Sequence, residues 1–326
     1  MVKSLINKKV LLVAPKFYEY HISILDEMKS DGALVTFIPE VNNTIFYRTV
    51  NKISTYFKSL LEHKHRNKIC RLIDTGDFDY VLVIRGGLFF PEFISDLRLR
   101  SPKTKFLMYQ WDSYRHSDYR GVIQYFDKVA TFDINDAIEL KLPYIPLFIS
   151  PVYQSKESVS SIYNMVFFGA YHSDRLKVIK FMADKLNTAE MSYKFHLYIP
   201  FLSFLYRCML GDISVFDIKF FSFYRVSPSL ISQTYNCTDS VLDIELSIQS
   251  GLSIRTFEVL ASGAKLITTN SKILDQDFYT ASHINYINRD ELSFDADFIL
   301  SESKAPEMAD YSIENWLNRV LFEGGS

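Results

Sequence analysis

Short runs rich in β-branched and aromatic residues, Val10–Ala14, Leu34–Ile38, Tyr80–Ile84, Phe106–Tyr109 and Lys128–Phe132, recur along the first half of the chain, with helix-like stretches such as Ile22–Lys29 and Val50–Arg71 between them. Near-continuous apolar strands are the mark of a sheet buried on both faces, and parallel strands need a helix-sized crossover to connect them. The alternation therefore predicts a parallel sheet covered by helices, a Rossmann-like unit. The pattern lapses over Phe148–Ser161, where serines gather around Pro151, and then resumes. Strand Asn164–Phe168, helix Asp174–Leu186, strands Lys194–Ile199 and Phe220–Tyr224, helix Pro228–Tyr235, strand Ser240–Ile244, helix Ile254–Ser262 and strand Lys265–Thr269 form a second such series. A chain of 326 residues has the length for about two domains. The expected division is a domain over 1–148, a linker over 149–161 and a domain over 162–326. Tandem sheets of this kind are expected to face each other across a cleft, and such folds bind ligands outside the carboxyl ends of their strands.

Charge excludes some functions. The formal net charge is −2, and residues 1–150 carry 21 Lys/Arg against 17 Asp/Glu. That excess is too small for a nucleic-acid partner. Three scattered cysteines give neither a disulfide framework nor a zinc site, which suits a reducing cytoplasm. The run Val10–Ala14 is too short for a signal sequence, and no apolar stretch is long enough to span a bilayer. The expected location is cytoplasmic, with peripheral contact at the inner face of the membrane as an option.

The most informative segment is Gln249-Ser250-Gly251-Leu252-Ser253-Ile254-Arg255-Thr256-Phe257-Glu258, followed by Ala261, Gly263 and a strand that ends at Thr268-Thr269-Asn270. Gly251 and Ser253 stand where a loop turns into a helix, whose free N–H groups and dipole favour a phosphate-bearing ligand. Arg255 and Glu258, three apart, share one helix face. One short helix thus offers a diphosphate site, a cation and a carboxylate able to grip a ribose diol. A capped amphipathic helix with an ion pair would show the same pattern.

This segment resembles the donor-binding motif of bacterial GT-B glycosyltransferases of the group 1 type, in particular the branch that builds lipopolysaccharide and capsular polysaccharide. Trp111-Asp112-Ser113, Phe126-Asp127-Lys128, Thr131-Phe132-Asp133 with Asp136, and Pro146-Leu147-Phe148 are similar to landmarks of the same branch's N-terminal domain. The resemblance implies two Rossmann-like domains, acceptor side first and nucleotide-sugar side second. It also implies transfer of a sugar from a nucleotide diphosphate donor to a glycan acceptor, expected to be lipid-linked. Glu258 would bind the ribose, and Arg255 with the helix N-terminus would face the diphosphate. Retaining members carry a Glu eight residues before the helix Glu, and that position is Ser250. Asp243 or Glu245, at the end of the preceding strand, is the expected substitute, and the stereochemistry stays open. A nucleotide-sugar epimerase of the same fold and a non-catalytic nucleotide-sugar-binding protein are the rival readings.

Other candidates follow from position. Asp112, past the end of a strand, is placed either to deprotonate an acceptor hydroxyl or to cap a helix, and His116 is the alternative base. Gly86-Gly87 and Gly169-Ala170 are strand-end loops that let a ligand approach the backbone, with Arg175 near the second. Thr269 and Asn270 close another strand end. Asp77-Phe78-Asp79 precedes its strand and Asp295-Ala296-Asp297 lies far toward the C-terminus, so both read as turns, and neither a metal nor a cofactor is expected beyond the donor itself. Arg48–Arg71 carries seven basic residues against Glu62 and reads as a helix able to rest weakly on anionic lipid. Phe201–Met209, apolar but for Ser203 and Arg207, reads as a buried helix, with a contact surface as the alternative.

Overall fold

The computed structural model describes residues 4–40, 55–154, 160–172 and 174–323, with backbone alone over 55–58. Residues up to Leu147 form a first compact unit, joined by Ile248–Gly251 and by the chain from Ser312 onward; Phe148–Ser247 and Leu252–Tyr311 form a second.

The first unit is a five-stranded parallel sheet. Its strands are β1 (Lys9–Ala14), β2 (Leu34–Pro39), β3 (Tyr80–Ile84), β4 (Lys105–Gln110) and β5 (Lys128–Thr131), in the order β2-β1-β3-β4-β5. Helices α1 (Tyr20–Ser30), α2 (Thr55–Gly76), α3 (Pro91–Arg100) and α4 (Ile134–Leu140) supply crossovers and cover. β1 is buried throughout after Lys9, as a central parallel strand must be. The order reverses between β1 and β3, which pair Val10–Val13 with Tyr80–Val83.

The second unit is a six-stranded parallel sheet of β6 (Tyr163–Ala170), β7 (Tyr193–Tyr198), β8 (Phe221–Ser222), β9 (Thr238–Asp243), β10 (Lys265–Thr268) and β11 (Ile284–Tyr286), ordered β11-β10-β9-β6-β7-β8. Counted from the other edge this is the 3-2-1-4-5-6 order of dinucleotide-binding sheets, with its reversal between β6 and β9. Around it lie α5 (Arg175–Thr188), α6 (Phe201–Met209), α7 (Pro228–Tyr235), α8 (Ile254–Ser262) and α9 (Asp297–Leu300). α8 starts at Ser253 and stops at Gly263, which takes φ 82°, the left-handed conformation that ends a helix most cheaply with glycine.

Two expectations change. The last helix, α10 (Ile313–Phe322), belongs to the first unit and not to the second. Ser312 caps it by accepting from Asn315 N, and Ile313, Trp316, Leu317, Val320 and Leu321 make one buried stripe. Trp316 meets the buried Tyr109 edge-on, with ring centres 5.0 Å apart. The second change is α6, in which only Phe204 is buried. Its apolar residues face outward, because Phe204 already fills the space against Ile199 and Ile213.

Candidate nucleotide-sugar site

The reversal between β6 and β9 brings three arginines to the carboxyl edge of the second sheet. Arg175, at the start of α5, donates from Nη1 to Ala170 O at 2.9 Å and from Nε to Ile244 O at 2.8 Å, so it ties the ends of the two strands together. Gly169 makes room for it: a Cβ there would lie 3.1 Å from Arg175 Nη1 and 2.6 Å from the Phe167 ring. Arg255, in the first turn of α8, donates to Asp243 Oδ1 and to Phe168 O, each at 2.6 Å, with its guanidinium over the Phe167 ring. Arg289, past β11, reaches Asp174, Glu245 and Thr269.

Carboxylates orient Arg255 and Arg289. Asp243, 1% exposed, accepts from Ser253 Oγ, Arg255 and Thr256 Oγ1. It therefore fixes the entry of α8 and is committed to its own chain, not turned toward a ligand as the sequence suggested. Glu245 is bound by Thr269 Oγ1 and Arg289, and burial raises its carboxyl above the usual range despite them.

The crowding has an electrostatic signature. Burial first, and then Arg255, bring the Arg175 guanidinium down to about 9. Burial and the fields of Arg175, Arg255 and Arg289 push the His172 imidazole down to about 4. At His172 the cations outweigh Asp174, so an anion at this edge would be attracted. Glu258 is 3% exposed and close enough to Arg255 and Tyr235 to influence both. Thr269 and Asn270 are buried at the same edge, where Asn270 accepts from Lys272 N.

Gln249 and Gly251 go elsewhere. Both lie in the stretch that joins the first unit. Gln249 Nε2 donates to Asp112 at 3.3 Å. The amides of Ser250 and Gly251 donate to Asp133 Oδ2 at 2.6 and 3.1 Å, so both serve a carboxylate of the chain itself. A Cβ at Gly251 would fall 2.6 Å from Phe132 O. The departure at Ser250 now has a reason. Its hydroxyl donates to Asp133 Oδ1 and accepts from Asn135 N, and a glutamate there would press a second carboxylate on a fully buried one.

In the first unit Asp112 is half-buried past β4, and His116 is exposed. Sequence reasoning missed their neighbours. Glu40, fully buried, binds Arg85 Nη2 at 2.6 Å and accepts from Gly87 N. Arg85 has φ 70° and Gly86 φ 78°, consecutive left-handed residues that turn the end of β3 back on Glu40. A left-handed arginine costs on the order of 1 kcal/mol or more, and the ion pair holds it. Asp77-Phe78-Asp79 is a loop in which Asp79 holds Lys8, whereas Asp295-Ala296-Asp297 leads into α9, with Asp295 accepting from Asp297 N.

No protein-family model matches the sequence, and neither does any curated protein. Solved structures do. A lipopolysaccharide outer core galactosyltransferase, WaaB, superposes with a TM-score of 0.52 over 96% of this chain and 99% of its own, at 14% identity. The chain has the GT-B fold. A UDP-GlcNAc 2-epimerase of Methanocaldococcus jannaschii, solved with UDP-GlcNAc and UDP, matches 97% of this GT-B chain and 100% of its own, with a TM-score of 0.53 and 11% identity. Among the described residues no helix is long and apolar enough to cross a membrane.

Proposed function

We propose that this GT-B protein transfers a sugar from a nucleotide diphosphate donor to a lipid-linked glycan acceptor in surface polysaccharide assembly. The observation that carries the reading is the crowding of Arg175, Arg255 and Arg289 at the switch point of the second sheet, which adds to burial in lowering both Arg175 and His172. Like charges held together in a poorly solvated place are stabilised by a ligand of opposite charge, and a diphosphate leaving group is one. Preset guanidiniums then do what a divalent cation does elsewhere, so turnover is independent of metal. Glu258 accepts from the ribose hydroxyls. The bond from the anomeric carbon to the diphosphate oxygen breaks, the bond to the acceptor oxygen forms, and Asp112 takes the acceptor proton.

Thermal unfolding with UDP, ADP and GDP, each beside its monophosphate and in the presence of chelator, tests the reading. A diphosphate at a hundred times its dissociation constant stabilises the fold by about 2.7 kcal/mol, and the monophosphate does so markedly less at the same concentration. Equal shifts for both, or a shift only when magnesium is restored, would overturn the arginine site. Isomerised free nucleotide sugar without an acceptor would replace transfer by epimerisation.

A further inference from the structure

Helix α6 is amphipathic the wrong way round for a helix that merely covers a sheet. Leu202, Leu205, Tyr206 and Met209, at i, i+3, i+4 and i+7, form a single stripe, and all four are exposed, Leu202 and Met209 to 78% each. The helix is held from behind by Phe204 and Cys208, which pack with Ile199, Ile213, Tyr171 and Leu176. Phe201, also exposed, lies edge-on to Phe223 at 5.1 Å and carries the apolar surface onto the end of the neighbouring strand. The turn after the helix adds Val215, Ile218 and Phe216, the last 84% exposed. Exposed apolar surface gathered in this way marks an interaction site.

The charges around it favour one occupant. Between 201 and 225 the acids are Asp212 and Asp217. Asp212 is bound by Arg207 at 2.7 Å, and Asp217 is buried and bound by Lys180 at 2.9 Å. Both are neutralised within the fold, while Lys219 and Arg225 stand exposed. Leucine, methionine and aromatic side chains on one face with a basic rim are the composition that settles between the headgroups and acyl chains of an anionic bilayer.

From this geometry we infer that α6 and the turn after it form a membrane-docking surface of the second unit, which inserts Leu202, Leu205, Tyr206, Met209 and Phe216 into an anionic bilayer interface. α6 leaves the carboxyl end of β7, and Tyr171 and Leu176 of its backing flank the stretch that leads into Arg175 at the start of α5. Docking through α6 therefore holds the arginine edge at the membrane surface, which gives the lipid-linked acceptor of the proposed function a physical basis. The basic helix α2 is a weaker candidate. Over its described side chains it buries His65, Ile69 and Ile73 and turns Lys64, Lys68 and Arg71 outward, leaving little apolar surface to insert; residues 48–54 of the basic stretch lie outside the described ones.

Flotation of the full chain with phosphatidylcholine vesicles, with and without phosphatidylglycerol, tests the inference without reference to nucleotide binding. The wild type floats with the anionic vesicles. Leu202→Gln with Met209→Gln, both on the solvent side and so harmless to the melting temperature, weakens binding on the order of tenfold to a hundredfold and leaves diphosphate binding unchanged. Lys64→Glu with Lys68→Glu changes it by no more than about twofold. Wild-type flotation by the α6 variant, or its loss in the α2 variant alone, would overturn the docking surface. So would a wild type that never floats but sediments as a dimer that the α6 variant dissociates, because a second copy would then be the occupant.

Discussion

At the carboxyl edge of the first sheet a fully buried acid, Glu40, is served by one guanidinium, Arg85, with Asp112 nearby; at the corresponding edge of the second sheet Asp243 serves Arg255, Asp174 and Glu245 serve Arg289, and Arg175 is held by backbone carbonyls. The difference lies in how far the guanidinium that serves the buried acid reaches water. Arg85 is 32% exposed and can take its charge to water, while Asp243 and the guanidinium it holds are both largely enclosed. Burial raises an enclosed acid at either edge, Glu40 against the pull of Arg85 and Glu245 against that of Arg289. At the second edge burial and then the neighbouring Arg255 lower Arg175, and a cation so placed suits an anionic ligand.

The comparison can be broken most forcefully through the acids. Asp243→Asn leaves Arg255 enclosed beside a neutral group, and loss of one partner of a buried pair costs about 3–5 kcal/mol. Glu40→Gln keeps an acceptor for Gly87 N and leaves Arg85 its access to water, so its cost is that of a weakened buried hydrogen bond, about 1–3 kcal/mol. Denaturant unfolding of the two variants ranks them, and the reverse order would mean that the first edge is the more tightly enclosed. Ligand binding gives the next largest contrast. Arg289→Met lowers affinity for a nucleoside diphosphate on the order of tenfold to a hundredfold, whereas Arg85→Met leaves it within about twofold. Glu258→Gln has an effect like that of Arg289→Met on a ribonucleotide but almost none on its 2′-deoxy analogue, as a direct contact to the ribose requires. Because Glu258 is nearly enclosed, its melting temperature must be read beside its affinity.

The smallest effect is a pH dependence. Relative to its ordinary value near 6.5, His172 is lowered to about 4 in the folded protein. As pH falls across that window the unfolded chain takes up the proton first, so stability is present above it and declines within it. His172→Gln flattens that decline by a few degrees of melting temperature. A bound diphosphate offsets the three guanidiniums, so an NMR titration of His172 shifts upward when it binds. A titration curve that ligand leaves in place would separate His172 from the site.

Both sheets were legible in the sequence because a buried parallel strand is a run of apolar residues and its crossover is a helix. Every strand read there has a counterpart among β1–β10, with ends differing by a residue or two. The short β11, with only one residue buried out of three, was not visible in that way. At the site, Arg175, Arg255 and Glu258 were found through motif and position. Arg289 was missed, since a lone arginine after a weak strand carries no local pattern, and so was Glu40, whose meaning depends on Arg85 arriving from 45 residues further along. Spacing could not reveal that Asp133 takes the Gly251 amide or that Gln249 reaches Asp112. The apolar character of α6 was visible, but composition does not show whether a helix's apolar face points inward or outward.

The return of α10 to the first unit bears on how the protein is made. The chain emerges N-terminus first, and domains tend to fold in that order during synthesis. The first sheet here cannot be finished on that schedule. Tyr109 waits for Trp316, Tyr80 for Phe322, and Lys128 for the Arg319 carbonyl, to which its ammonium donates at 2.5 Å. The unit begun first is closed last, after all of the second has been translated. A ribosome-bound chain halted short of Ser312 therefore leaves Tyr109 and Tyr80 without their aromatic partners, while all of the second unit has already been made.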